Sequence, residues 1–137
     1  MSFLVDTNVI SELRKGARAN PRVAAWFADL AEEEVYLSVL TVGEIRNGIE
    51  RIMRRDRRAA TALDRWLRTL VRDYEDRVLP VDRAVAEQWG RLSVPDPLPV
   101  IDALLAATAA VHGLVLATRN VKHLERTEVP LFDPFRP

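Results

Sequence analysis

The stretch Phe3-Leu4-Val5-Asp6-Thr7-Asn8-Val9-Ile10-Ser11-Glu12-Leu13 holds an apolar triplet, a polar triplet, and then apolar residues at helical spacing. Three apolar residues in a row, stopped by Asp, Thr and Asn, make a short buried strand and its turn. Val9, Ile10 and Leu13 then share one face until Gly16. This reads as strand, turn, helix.

The same alternation continues outward. Asn20 before Pro21 is a cap with Pro at the first helical position, and Val23, Trp26, Phe27 and Leu30 form the inward stripe of a second helix. Val35 to Val39 reads as strand two. Thr41 is expected to open a third helix, with Val42, Ile45, Ile49 and Ile52 on one face, and Ala59, Leu63, Trp66, Leu70 and Tyr74 mark a fourth that pairs with it as a hairpin. Arg77 to Val81 is a third strand, and Asp82 caps the helix of Val85, Trp89 and Leu92. Pro95, Pro97 and Pro99 interrupt the chain before the apolar helix Val100 to Val111, which Gly113 closes ahead of strand four, Leu114 to Ala117. Leu131-Phe132 supplies a fifth strand. Strands alternating with helices imply an α/β fold, a parallel sheet covered on both faces and joined by right-handed crossovers. No repeat and no long linker divides residues 1–137, so one domain is expected.

Twenty Lys and Arg offset twenty Asp and Glu, so no whole-molecule basic field draws the chain to nucleic acid or anionic membrane. Any such site must be local. The absence of cysteine excludes disulfides, thiolate metal sites and cysteine nucleophiles. The amino terminus lacks a basic region followed by an apolar run, and Val100 to Ala117 carries Asp102 and His112, so neither a secretory signal nor a membrane span is expected. A cytoplasmic location fits.

Parallel sheets place their sites beyond the carboxyl ends of the strands, where strand order reverses. Two polar clusters stand there, Asp6-Thr7-Asn8 after strand one and Thr118-Arg119-Asn120 after strand four. Both also suit plain turns and caps. Glu44 has a local explanation too, since Thr41-Val42-Gly43-Glu44 has the pattern of a capping box. Asp102 is less ordinary, lying among Val100, Ile101, Ala103, Leu104 and Leu105 at a helix start. Either it complements the helix dipole, or a partly buried carboxylate there answers a cation. Phosphate-binding glycine loops and a nucleophile elbow are absent, and His112 and His123 are too few and badly spaced for a zinc protease. Carboxylates without His or Cys partners favour a hard cation such as Mg²⁺, which suits phosphodiester cleavage.

Taken together, Asp6-Thr7-Asn8-Val9-Ile10-Ser11, Glu44 within Leu40–Gly48, Ile101-Asp102-Ala103-Leu104-Leu105-Ala106-Ala107-Thr108-Ala109 and Leu116-Ala117-Thr118-Arg119-Asn120 resemble the successive motifs of PIN-domain ribonucleases. The VapC toxin group, with its FitB-like members, is the nearest in pattern, and the likeness runs from about residue 3 to about residue 133. The resemblance implies a PIN domain with a parallel sheet of about five strands, dependence on Mg²⁺ or Mn²⁺, and an RNA substrate. It implies an acidic cluster of Asp6, Glu44 and Asp102. On this pattern Asp6 and Asp102 hold the metal, Glu44 orients or deprotonates the attacking water, and Thr7, Thr118 and Asn120 assist. Many relatives carry a further acid after the fourth strand, where this chain has Asn120 and then His123. The resemblance also implies a homodimer and a small VapB-like antitoxin, usually DNA-binding, whose tail occupies the acidic cleft. Contact with DNA is then only indirect.

Arg51 to Arg58 holds five arginines (Arg51, Arg54, Arg55, Arg57 and Arg58) and one aspartate. This local patch reads either as a track for the RNA backbone or as a solvated helix face laced with i to i+4 pairs. Two rival functions exist. A phosphatase of the haloacid dehalogenase type needs a second acid two residues after the first, and Asn8 stands there. A catalytically inactive PIN-like module, binding RNA or protein, would be expected to lose cluster acids, and all three are present.

Overall fold

The computed structural model describes residues 1–137. Five parallel strands form one sheet in the order β3-β2-β1-β4-β5, with β1 Phe3–Val5, β2 Val35–Ser38, β3 Val78–Leu79, β4 Val115–Ala117 and β5 Leu131–Phe132. The α/β architecture and the five-stranded parallel sheet are as the alternation predicts. The helices are α1 Thr7–Leu13, α2 Pro21–Ala28, α3 Val39–Met53, α4 Arg57–Asp73, α5 Arg83–Leu92, α6 Val100–His112 and the single turn α7 Val121–Leu124.

Side chains alternate across β1, and this divides the core into two. Phe3 and Val5 face one side, where Val9 and Ile10 of α1, Val23 of α2, Ile45 and Ile49 of α3 and Leu63 and Leu67 of α4 are buried. Leu4 faces the other, against Leu105, Ala106 and Ala109 of α6 and Leu116 of β4. Each fully buried Leu of this kind contributes about 1.5–3 kcal/mol of burial free energy. Alanines along α6 let that helix lie close to the sheet. It ends at Gly113, whose φ of 65° is the left-handed conformation a C-cap requires.

Two local expectations hold at their caps. Asn20 Oδ1 accepts from the amides of Arg22 and Val23 at 2.9 and 3.4 Å, and Asp82 Oδ1 accepts from Val85 at 3.0 Å. A third needs correction. The second strand ends at Ser38 rather than Val39, and α3 begins at Val39 rather than Thr41. Ser38 is the cap, its hydroxyl accepting from the Leu40 amide at 3.0 Å. Thr41 is therefore already inside the helix, fully buried, and the capping box with Glu44 does not form. The third and fourth strands are also shorter than their apolar runs, since only two and three residues find partners in the sheet.

The chain lays β1, β2 and β3 toward one edge, then returns through α5 and α6 to place β4 on the far side of β1. Strand order thus reverses between β1 and β4. The crevice beyond their carboxyl ends is the natural site of a parallel sheet.

Candidate active site

Asp6 is the first residue past β1, and Thr118 the first past β4, the neighbouring parallel strand. The register Val5 to Ala117 therefore sets the two side by side. The Asp6 amide donates to the Ala117 carbonyl at 2.9 Å, which locks the carboxylate in place. Asp6 is only 4% exposed. Its Oδ1 accepts from the Thr7 amide at 2.6 Å, and its Oδ2 from the Thr118 hydroxyl at 2.7 Å and the Asn8 side-chain amide at 3.3 Å. Burial pushes its pKa from 3.8 up to about 6, the bonds from Thr118 and Thr7 pull it down, and the charges of Asp102 and Glu44 push it up further.

Glu44 reaches the crevice from one turn into α3. Thr7 Oγ1 lies 2.6 Å from Glu44 Oε1 and 3.0 Å from Thr41 Oγ1. A hydroxyl has one proton to give, and a carboxylate only accepts, so Thr7 donates to Glu44 and receives from Thr41. Asp102 lies in the first turn of α6, whose N-cap Pro99 makes no side-chain cap bond. The Asp102 carboxyl is mostly shielded, and its Oδ2 stands 4.0 Å from Nδ1 of the exposed His123. The 118–120 turn is bound in as well. The Asn120 amide donates to Thr118 Oγ1 at 3.0 Å, and the Arg119 amide to Asn8 Oδ1 at 3.3 Å.

Asp6, Glu44 and Asp102 thus share one end of the sheet, and no Lys or Arg pairs with any of them. A buried carboxylate beside two like charges, without a cation, is costly unless something positive joins it. The donor set is all oxygen apart from His123. No group of three His, Cys, Asp or Glu side chains closes on a single point. That still fits Mg²⁺ or Mn²⁺ chemistry, in which one or two carboxylates serve and water or phosphate oxygens complete the shell.

The arginine run divides. All five side chains are exposed, and none takes part in an ion pair, so the lacing of i to i+4 pairs is not formed. Arg51 shares a cleft of about 480 Å³ with Glu44, Asn47 and Ile101. Arg57 and Arg58 line a different hollow with Arg65. Sequence reasoning placed Asn8 in the first polar cluster and His123 just after the second, but not their contacts: Asn8 braces Asp6 and the 118–120 turn, and His123 meets Asp102. Thr41, read as a cap, instead supports Thr7.

A family model for the PIN domain matches residues 3–129. The chain belongs to the PIN-domain family. Among PIN proteins it is similar to Toxin FitB of Neisseria gonorrhoeae, 32% identical across 97% of this chain and 98% of that protein. It is similar to VapC ribonuclease Y4jK of Sinorhizobium fredii, 32% identical across 98% of this chain and 99% of that one. Its fold is similar to the solved structure of FitAB bound to an IR36 DNA fragment, with a TM-score of 0.88 at 30% identity, covering 98% of this chain and 96% of that chain. The matched residues 3–129 include Asp6, Glu44, Asp102 and Thr118 at the β1–β4 crevice. No helix is long and apolar enough to cross a membrane.

Proposed function

We propose that this PIN protein is a metal-dependent endoribonuclease and the toxin of a toxin–antitoxin pair. The observation that carries the reading is Asp6, a carboxylate 4% exposed, raised to a pKa of about 6 and left without a cationic partner beside Asp102 and Glu44. Asp6 and Asp102 would hold Mg²⁺ or Mn²⁺, which when bound would neutralise charge gathering on a scissile phosphate. The Thr118 hydroxyl and the Asn8 side-chain amide hold the Asp6 carboxylate in place. Glu44 orients the attacking water and accepts its proton, with Thr7 keeping the carboxylate aimed. Asn120 stands at the mouth of the crevice as a polar contact for substrate or water. Arg51, in the cleft beside Glu44, receives a backbone phosphate of the RNA, and Arg54, Arg55, Arg57 and Arg58 extend that contact along the hairpin.

The likeness to Toxin FitB and to FitAB on DNA supports control by a VapB-like antitoxin, and a cytoplasmic homodimer is part of the same proposal. DNA is then met through the antitoxin alone. An Arg or Lys of the antitoxin entering the crevice would pair with the unneutralised carboxylates and compete with the metal.

The test is direct. Purified protein is incubated with a total RNA pool in Mg²⁺, in Mn²⁺ and in EDTA, and new RNA ends are mapped. Discrete ends with either metal, absent in EDTA, are the expected result. RNA retention without new ends in every condition would overturn catalysis and leave the inactive binding module.

A further inference from the structure

Beside the acidic crevice, on the β5 side, lies a second cleft of about 640 Å³. Arg119, Asn120, Lys122, His123, Phe132 and Arg136 line it. Glu125 and Asp133 also reach it, but Asp133 is taken by Arg136 at 3.3 Å. Arg119 and Lys122 are in no ion pair. The Arg119 guanidinium lies over the Phe135 ring at 4.3 Å, which limits its motion, and Glu12, the acid whose charge it feels, is itself paired with Lys15 at 2.9 Å.

The aromatic part is equally prepared. Phe132 keeps 38% of its surface exposed, while its ring is held from behind by Trp26 at 5.4 Å and Phe3 at 6.0 Å. A ring fixed in this way accepts a flat partner without first losing rotamer freedom. The cleft also connects to the crevice. His123 of its wall is 4.0 Å from Asp102, and the Asn120 amide bonds the same Thr118 hydroxyl that binds Asp6.

Free cations, one exposed aromatic face and a volume within the roughly 300–1,000 Å³ of small-ligand sites describe a receptor for one nucleotide. The geometry points to a nucleotide subsite of a single-stranded RNA, with a phosphate beside the scissile bond on Arg119 and Lys122 and the neighbouring base against Phe132. A base in a duplex keeps its faces covered by its neighbours, so only an unstacked strand presents one to this ring. The inference rests on the ribonuclease reading. It adds that the strand leaves the acids toward the carboxyl terminus of the chain.

The experiment measures binding of a short fluorescein-labelled oligoribonucleotide by anisotropy, in EDTA so that nothing is cleaved, across a series of salt concentrations. Arg119→Gln with Lys122→Gln should weaken binding about tenfold and flatten the salt slope by about 1.4, the value for two lost phosphate contacts on a single strand. Lys122→Gln alone, which leaves the Arg119 stack intact, should give about half that change in slope. Arg83→Gln with Arg91→Gln removes the same charge from α5 and should leave the slope as it was. For the aromatic half, an abasic spacer is moved along the oligonucleotide. One position should cost the native protein about fivefold or more and cost Phe132→Leu little. Unchanged slopes in both cleft variants, or abasic losses identical in Phe132→Leu, would overturn the subsite while cleavage of RNA by the native protein keeps the ribonuclease reading standing. A native protein that neither binds nor cleaves RNA would remove both.

Discussion

Two aspartates of this chain meet opposite surroundings. Asp64, half-buried on α4, is gripped by Arg46 of α3 at 2.8 Å and Arg68 one turn on at 3.0 Å. The hydrogen bond from Arg46 leads the effects that hold its pKa below the usual carboxylate range. Asp6 is buried, bonded only by neutral donors and set near two further acids, and its pKa is raised to about 6. Where a carboxylate serves the hairpin, its charge is neutralised within the chain. At the crevice it is kept and left unanswered. The difference marks where the PIN fold tolerates unfavourable electrostatics, and such places are candidates for binding or chemistry.

The strongest way to break this contrast is to remove charge at the crevice. Asp6→Asn or Asp102→Asn should lower RNA cleavage by well over the roughly 10–100-fold that follows loss of a supporting hydrogen bond around a metal. The circular dichroism spectrum should not change. Full cleavage by both variants would end the assignment of these residues.

The same substitution sharpens the contrast through stability. Between pH 3.8 and about 6 the folded chain keeps a proton on Asp6 that the unfolded chain has released. Stability from this group is therefore full below the unfolded pKa and is lost as pH rises through the folded one. At 1.36 kcal/mol per pH unit, the loss amounts to about 3 kcal/mol. Asp6→Asn carries no such proton, so in EDTA its stability relative to the native chain should grow by up to that amount between about pH 4 and pH 7. Urea unfolding at each pH measures it, and a pH-independent difference would contradict the raised pKa.

A smaller effect is expected one bond further out. Thr118→Val keeps the shape of the buried residue but withdraws the hydroxyl from Asp6 Oδ2. Mn²⁺ affinity, read by calorimetry, should fall about 10–100-fold. The rise in melting temperature on adding Mn²⁺ should shrink in this variant and vanish in Asp6→Asn. Equal responses in all three proteins would mean that the cation binds elsewhere.

The smallest effect belongs to the hairpin. Asp64→Asn should leave RNA cleavage unaltered and lower the melting temperature slightly at low salt. That difference should disappear in about 1 M NaCl, where the Debye length is about 3 Å. A loss of cleavage here would erase the distinction between the two aspartates.

Much of the PIN architecture was legible in local patterns. The Asn20-Pro21 cap, the Asp82 cap and Gly113 as C-cap all rest on interactions within about four residues, and each forms as read, while Phe3–Val5 and its polar stop were legible from their apolar run although their strand partners are distant. The capping box was misread because two hydroxyl residues three positions apart compete to open α3. The strand ends at Ser38, so Ser38 takes the cap and Thr41 enters the helix. Asp6, at a strand end, and Asp102, among apolar neighbours at a helix start, stood out as candidates from local pattern, and the family resemblance joined them to Glu44 as one cluster. Taken locally, Glu44 and Asp102 had adequate explanations in helix capping and the helix dipole.

The order of residues by itself determined which segments are strands and helices, where most helices start and stop, and which positions face inward, because those properties depend on neighbours a few bonds away. Only the tertiary structure decided what the polar residues meet. Thr7 reaches Glu44 across 37 positions and Thr118 reaches Asp6 across 112. The first meeting depends on β2 pairing beside β1 and the second on β4 pairing on its other side, choices made by burial of the whole sheet. The same packing turns Phe132 outward over one cleft and sets His123 beside Asp102. A carboxylate's chemistry follows from the dielectric and the charges around it, and folding assembles both from distant parts of the chain.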